Sequence, residues 1–129
     1  LVEIRALALV GIGAAIGGIV RFAIAQFVAA RFGQSQVPYA TLFINVSGSF
    51  LIGIVVEASL GKAGLDPLWR AFLATGILGG YTTFSTFSFE ALTLGASAFP
   101  IAAIGYVAAS VGLGIAAAWA GVATMRALV

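Results

Sequence analysis

The sequence predicts an all-α integral membrane protein of four transmembrane helices, the third broken mid-membrane. Two observations lead there. Hydrophobic residues make up 62% of the chain and charged residues only 8%, against roughly 25% charge in a soluble domain. The apolar residues also fall into long runs divided by short polar turns, and about 20 apolar helical residues cross a hydrocarbon core of ~30 Å. Six Lys/Arg and four Asp/Glu cannot coat a water-facing surface, which needs about 25–35% charged positions. At 129 residues the chain reads as a single domain, 1–129. With no Cys and no His, disulfides, thiol nucleophiles, zinc motifs and His-based triads are excluded. The net charge of +2 is spread thinly, without a basic block for nucleic acid, so the bilayer is the expected surroundings. Leu1 stands where a Met is usual; a lost start is expected, and no cleavable signal peptide.

The first crossing is read over about 7–30, rich in Ala, Ile, Val and Gly and closed by Arg31 and the polar turn Gly33-Gln34-Ser35-Gln36. The second runs over 38–60, opening on Pro38, a good first-turn residue, and ending before Gly61-Lys62-Ala63-Gly64. Asp66-Pro67 then reads as an N-cap followed by proline at the first helical position. The last crossing covers 100–125, with Arg126 just beyond. The third, 68–97, is too long for one straight crossing: 67–99 as a continuous helix would measure about 50 Å, more than tilt absorbs. Inside it lies Gly76-Ile77-Leu78-Gly79-Gly80-Tyr81-Thr82-Thr83, whose glycines and threonines weaken helix propensity. A break is expected near 79–82, between half-helices 68–78 and 83–97. Non-helical backbone inside a membrane survives only where protein or a polar cavity satisfies it, so the break points to a binding site. A continuous helix softened by glycine is the plainer alternative.

Several polar residues interrupt these apolar runs. In Tyr81-Thr82-Thr83-Phe84-Ser85-Thr86-Phe87-Ser88-Phe89-Glu90, hydroxyls alternate with phenylalanines, and Phe84 and Phe87 share a helix face. Phenylalanine rings carry positive edges, so two edges turned into a narrow passage favour an anion; lipid-facing or core packing is the ordinary role. Thr41, Asn45 and Ser49 fall on one face of the second crossing. Asn45 offers two N–H donors, serving either an ion or a helix–helix hydrogen bond. Tyr106, Ser110 and Gly114 form a stripe on the last crossing, which fits a wet track or a tight packing seam. Gly13-Ala14-Ala15-Ile16-Gly17 is a small-xxx-small packing signal.

Charged positions complete the reading. Arg21 lies near the middle of the first crossing, where a cation costs ~2.5–3.5 kcal/mol on insertion scales; it must snorkel or pair, and either leaves positive potential near an anion's path. Glu57 reads as interfacial and Glu90, two turns past the break, as a vestibule or structural residue. With four crossings, Arg5, Lys62, Arg70 and Arg126 share one side and Arg31 the other, a modest bias that does not yield dual topology.

Three of these segments carry a resemblance. Gly17-Gly18-Ile19-Val20-Arg21, Thr41-Leu42-Phe43-Ile44-Asn45-Val46-Ser47-Gly48 and above all Gly79-Gly80-Tyr81-Thr82-Thr83-Phe84-Ser85-Thr86-Phe87-Ser88 resemble the ordered signatures of the Fluc (CrcB) family of fluoride channels. The resemblance implies an antiparallel, dual-topology homodimer with two pores, seated in the inner (plasma) membrane. It implies a passive, fluoride-selective channel that exports cytoplasmic fluoride and relieves its toxicity. On that resemblance Phe84 and Phe87 line the fluoride path and Asn45 orients donors to the ion, with Thr41 and Thr83 beside it. Tyr106 and Ser110 begin a polar track, and Arg21 stands near the aqueous vestibule. Gly79 and Thr82 offer backbone carbonyls to a central structural sodium ion. Gly114 departs from the pattern, standing where a further hydroxyl is expected. Four helices enclose little of a pore, which independently favours a second copy.

The rival function is a small four-helix proton-coupled multidrug exporter, which needs an intramembrane carboxylate; the first crossing has none. A scaffold subunit would leave Asn45 and the hydroxyl cluster with packing roles alone. An enzyme is not expected, because no His, Cys or central Asp is present as base or nucleophile. The residues by themselves leave fluoride/proton antiport open.

Overall fold

The structure, a computed structural model, describes residues 3–129; Leu1, on which the expectation of a lost start rests, lies outside them. Every element among the described residues is helical. Helix α1 is Ile4–Phe32 and α2 is Tyr39–Leu60. Helix α3 (67–81) joins an α-helical turn, Pro67–Arg70, to a π-helical stretch, Ala71–Leu78, and a closing turn, Gly79–Tyr81. Helix α4 is Phe84–Gly95 and α5 is Pro100–Leu128. Helices α1, α2 and α5 are each long and apolar enough to cross a membrane, and α3 and α4 are the two pieces of a broken segment. The chain is a multi-pass membrane protein.

Local chemistry sets the helix ends. Gly33, at φ 72°, takes a backbone conformation that side chains resist and stops α1. Asp66 accepts a hydrogen bond from the Leu68 amide at 2.8 Å, capping α3 with Pro67 in its first turn. Thr83 does the same for α4, its Oγ1 accepting from the Thr86 amide at 3.3 Å.

Packing divides the helices into two parallel pairs, α1 with α3 and α2 with α5. Both rest on glycines that bring backbones together. A Cβ added at Gly17 would lie 2.0 Å from the Ile77 carbonyl oxygen, and one at Gly80 2.4 Å from that of Ala14. The Gly13/Gly17 signal is thus the α1–α3 seam. In the other pair, a Cβ at Gly53 would lie 2.2 Å from the Ala118 carbonyl oxygen, and one at Gly121 2.0 Å from that of Phe50. At the far end of this pair, Arg126 donates to both carboxylate oxygens of Glu57, at 3.0 and 3.3 Å. The buried core is small, centred on Ile44, Leu78 and Tyr81 and on Leu94, Ala103 and Tyr106. Phenylalanines such as Phe22, Phe27 and Phe43 are exposed, as suits a lipid-facing surface.

The segment is broken as expected, at the Thr82 end of 79–82, but its glycines are not the cause. Gly79–Tyr81 is helical, and Gly76 and Gly80 serve close approach to α1. The chain leaves the helix at Thr82 and Thr83, both extended, with φ/ψ of −82°/160° and −151°/119°. The π-helical turns before it, where bonds run i to i+5 and which often mark functional sites, have no counterpart in the sequence reading.

Candidate functional site at the helix break

Asn45 holds the break open. Its Oδ1 accepts from the Thr83 amide at 2.9 Å, and its Nδ2 donates to the Thr83 carbonyl oxygen at 3.0 Å. One side chain of α2 therefore satisfies both backbone polar groups of the non-helical residue, which would otherwise cost several kcal/mol unpaired away from water. Gly48, one turn from Asn45's side of α2, makes room: a Cβ there would lie 2.2 Å from Thr82 Cγ2.

This clamp has a consequence for the neighbouring carbonyls. In a continuous helix the Thr83 amide would serve the carbonyl of Gly79, and the Thr86 amide that of Thr82. Here the first donates to Asn45 and the second to Thr83 Oγ1. Gly79 and Thr82 thus present carbonyl oxygens without their usual helical donors. Of the two carbonyls between them in sequence, that of Gly80 accepts from Arg21 Nε at 3.1 Å. Arg21 resolves its position inside α1 by this bond to the break.

Asn45, Ser49, Gly79, Thr82, Thr83, Phe84, Phe87 and Ser110 all line one groove of about 340 Å³. Phe84 is 79% exposed and projects from the chain. Its ring centroid is 5.7 Å from that of Phe87, which in turn lies 5.3 Å from that of Tyr106, both pairs tilted at about half a right angle (51° and 52°). In such tilted arrays the positive ring edges are available to a neighbour of negative charge. The Ser110 hydroxyl oxygen is buried and has no hydrogen-bond partner among the described residues.

Glu90 belongs with this group, although the sequence reading set it aside as vestibular or structural. Thr41 Oγ1 donates to its Oε1 at 2.8 Å and Tyr106 Oη to its Oε2 at 2.8 Å. The carboxylate thereby joins α2, α4 and α5, accepting the hydrogen bonds of the Thr41 and Tyr106 hydroxyls. A signal was present in the sequence, since Phe87 and Glu90 are three apart and share a face of α4. The structure brings Asn45, Thr83, Phe84, Phe87 and Ser110 into one groove, sets Thr41 and Tyr106 around Glu90, and leaves Arg21 behind the break.

A membrane chain with a broken helix whose polar atoms and ring edges face a groove has the makings of an ion-conducting protein. The family model described as "CrcB-like protein, Camphor Resistance (CrcB)" matches residues 8–122, and the chain belongs to that family. It is 46% identical over 121 residues to the fluoride-specific ion channel FluC of Rhizobium meliloti (strain 1021), covering 94% of this chain and 96% of the relative. It is 47% identical over 117 residues to the protein of the same name from Granulibacter bethesdensis, covering 91% of each. To that of Roseiflexus sp. (strain RS-1) it is 44% identical over 119 residues, covering 92% and 95%. These relatives are named as ion channels and not as enzymes.

Proposed function

We propose that the chain is a fluoride-selective channel that lets the ion leave the cytoplasm passively across the inner membrane and so relieves its toxicity. The observation that carries the reading is the groove at the helix break, where an amide, hydroxyls and ring edges converge in an otherwise apolar chain. Fluoride is small and strongly hydrated, and a pore for it must replace water with fixed donors. Asn45, held in place by Thr83, has a second N–H beyond the one it spends on the carbonyl. Ser110 has an uncommitted hydroxyl, and Phe84 and Phe87 supply ring edges along the way. The guanidinium of Arg21, tied to the Gly80 carbonyl, adds positive potential on that side.

The groove is open along one side and Phe84 stands clear of its own chain. A second copy, packed antiparallel so that the third segments cross as part of four in each chain, would close it and form two equivalent pores. The same arrangement accounts for Gly79 and Thr82. Their freed carbonyls are hard oxygen donors of the kind that suits a small alkali cation, and those of a second copy would complete a set able to hold a structural sodium ion between the subunits. Bound there, the ion would neutralise carbonyl dipoles whose usual helical donors are spent elsewhere.

Expression in a bacterial strain stripped of its own fluoride export tests the reading in cells. The chain is expected to restore growth in millimolar fluoride, and Phe84→Ile, which keeps an apolar side chain but removes the ring edge, is expected to lose most of that protection at equal expression. Ring-edge contact with an ion of charge is on the scale of cation–π contacts, so a fall in flux of about tenfold is expected. Growth unchanged by the wild-type chain would overturn the proposal.

A further inference from the structure

Helices α2 and α5 run side by side in parallel, and their polar residues face one another in successive rungs. Thr41 and Tyr106 meet at Glu90. One turn on, Asn45 and Ser110 line the same groove. One further turn brings Ser49 opposite Gly114: a Cβ built on Gly114 would lie 3.6 Å from Ser49 Oγ. At this rung α5 has no polar atom to offer beyond its backbone, and the only side-chain hydroxyl is on α2.

We infer that in this chain the ion passes from the Ser110 hydroxyl on α5 to the Ser49 hydroxyl on α2, which takes the place of the side chain that Gly114 lacks. The inference rests on the channel reading above and deepens it. Three observations carry it. Ser110 Oγ is buried without a partner, so its proton is free for an anion. Ser49 lines the same groove. Its hydroxyl currently donates to the Asn45 carbonyl oxygen at 2.7 Å, a bond within its own helix that a rotation about one side-chain torsion exchanges for an anion, since that carbonyl is also the helical acceptor. Helix α2 thus contributes a hydroxyl just where the stripe on α5 ends. Ser49 would be a binding residue of the path rather than a packing residue, and the location of the hydroxyl, not of its carrier helix, is what the ion requires.

That last point makes the inference testable by moving the hydroxyl across the gap. Fluoride efflux is measured from liposomes holding the wild-type chain, Ser49→Ala, Ser49→Ala/Gly114→Ser and Ser49→Ala/Gly114→Ala. Space is available, because 3.6 Å is ordinary contact and alanine at 49 widens it. Ser49→Ala is expected to slow efflux about tenfold, the scale of one lost hydrogen bond to a charged group. Gly114→Ser in that background is expected to recover most of the rate, and Gly114→Ala none of it. Wild-type efflux from Ser49→Ala overturns the inference, and so does rescue by both second substitutions or by neither. Absence of fluoride efflux from the wild-type chain refutes the channel reading itself, and with it this step.

Discussion

Asn45→Asp is expected to reduce fluoride efflux by about 100-fold or more while the protein still folds and elutes as the wild type does. The carboxylate is nearly the same shape and keeps the bond accepted from the Thr83 amide. As an anion it has no proton for the Thr83 carbonyl oxygen, so the second half of the clamp becomes an oxygen–oxygen repulsion. It also places a unit negative charge in the wall of the groove. Two like charges about 4 Å apart repel by ~4 kcal/mol at an effective dielectric constant of 20, and every ~1.4 kcal/mol is tenfold in rate. Even with half of that energy lost to screening and relaxation, the flux falls by one to two decades from charge alone, and the loosened break adds to it. Stopped or electrode-followed efflux from liposomes checks the figure, with wild-type protein at the same density. An aspartate variant that conducts at the wild-type rate would show that Asn45 neither braces the break nor faces the ion.

Gly17→Val is expected to abolish folded protein. The added Cβ would lie 2.0 Å from the Ile77 carbonyl oxygen and 2.8 Å from the Tyr81 amide nitrogen. Both are backbone atoms, which cannot rotate away as a side-chain end does, so α1 and α3 must part. Ordinary overpacking costs about 1–3 kcal/mol. Here the separation also removes the bond from Arg21 to Gly80 and uncovers the glycine surface of the broken helix. Gly11→Ala is the matched control on the same helix, because nothing lies within 4 Å of a Cβ there. Alanine is the better helix former by about 0.5–1 kcal/mol, so this variant is expected to be at least as stable as the wild type. Recovery of monodisperse protein after detergent extraction reads out both. Wild-type recovery of Gly17→Val would contradict the close backbone seam.

The membrane-crossing helices were legible because hydropathy is a local property. The runs that become α1, α2 and α5 are visible in any window along the chain, and Asp66-Pro67 marks the start of α3 and Pro100 that of α5 by chemistry confined to one turn. The seam of Gly13 and Gly17 was legible for the same reason. The break was legible to within about a residue, in the glycine–threonine cluster, but its cause was not, because that cause is not local. Gly76, Gly79 and Gly80 looked like the weak point together with Thr82 and Thr83, but all three glycines are helical, and α1 packs on Gly76 and Gly80. The helix instead stops where Asn45, 38 positions earlier in the chain, outcompetes it for the Thr83 amide. Glu90 was judged by its distance from the break along one helix, whereas its partners Thr41 and Tyr106 lie 49 and 16 positions away. The stripe Thr41, Asn45, Ser49 and the stripe Tyr106, Ser110, Gly114 were each visible alone. That they face each other rung by rung, with Ser49 opposite the gap at Gly114, required the parallel packing of α2 on α5.

Selectivity for fluoride over chloride is the property that defines the proposed channel. The direct measurement is the release of each ion from liposomes loaded with it and carrying the purified wild-type protein, followed with ion-selective electrodes after the membrane potential is collapsed. Rapid loss of fluoride with chloride retained is the predicted result. Retention of fluoride by correctly inserted protein, or release of both ions at similar rates, would contradict it.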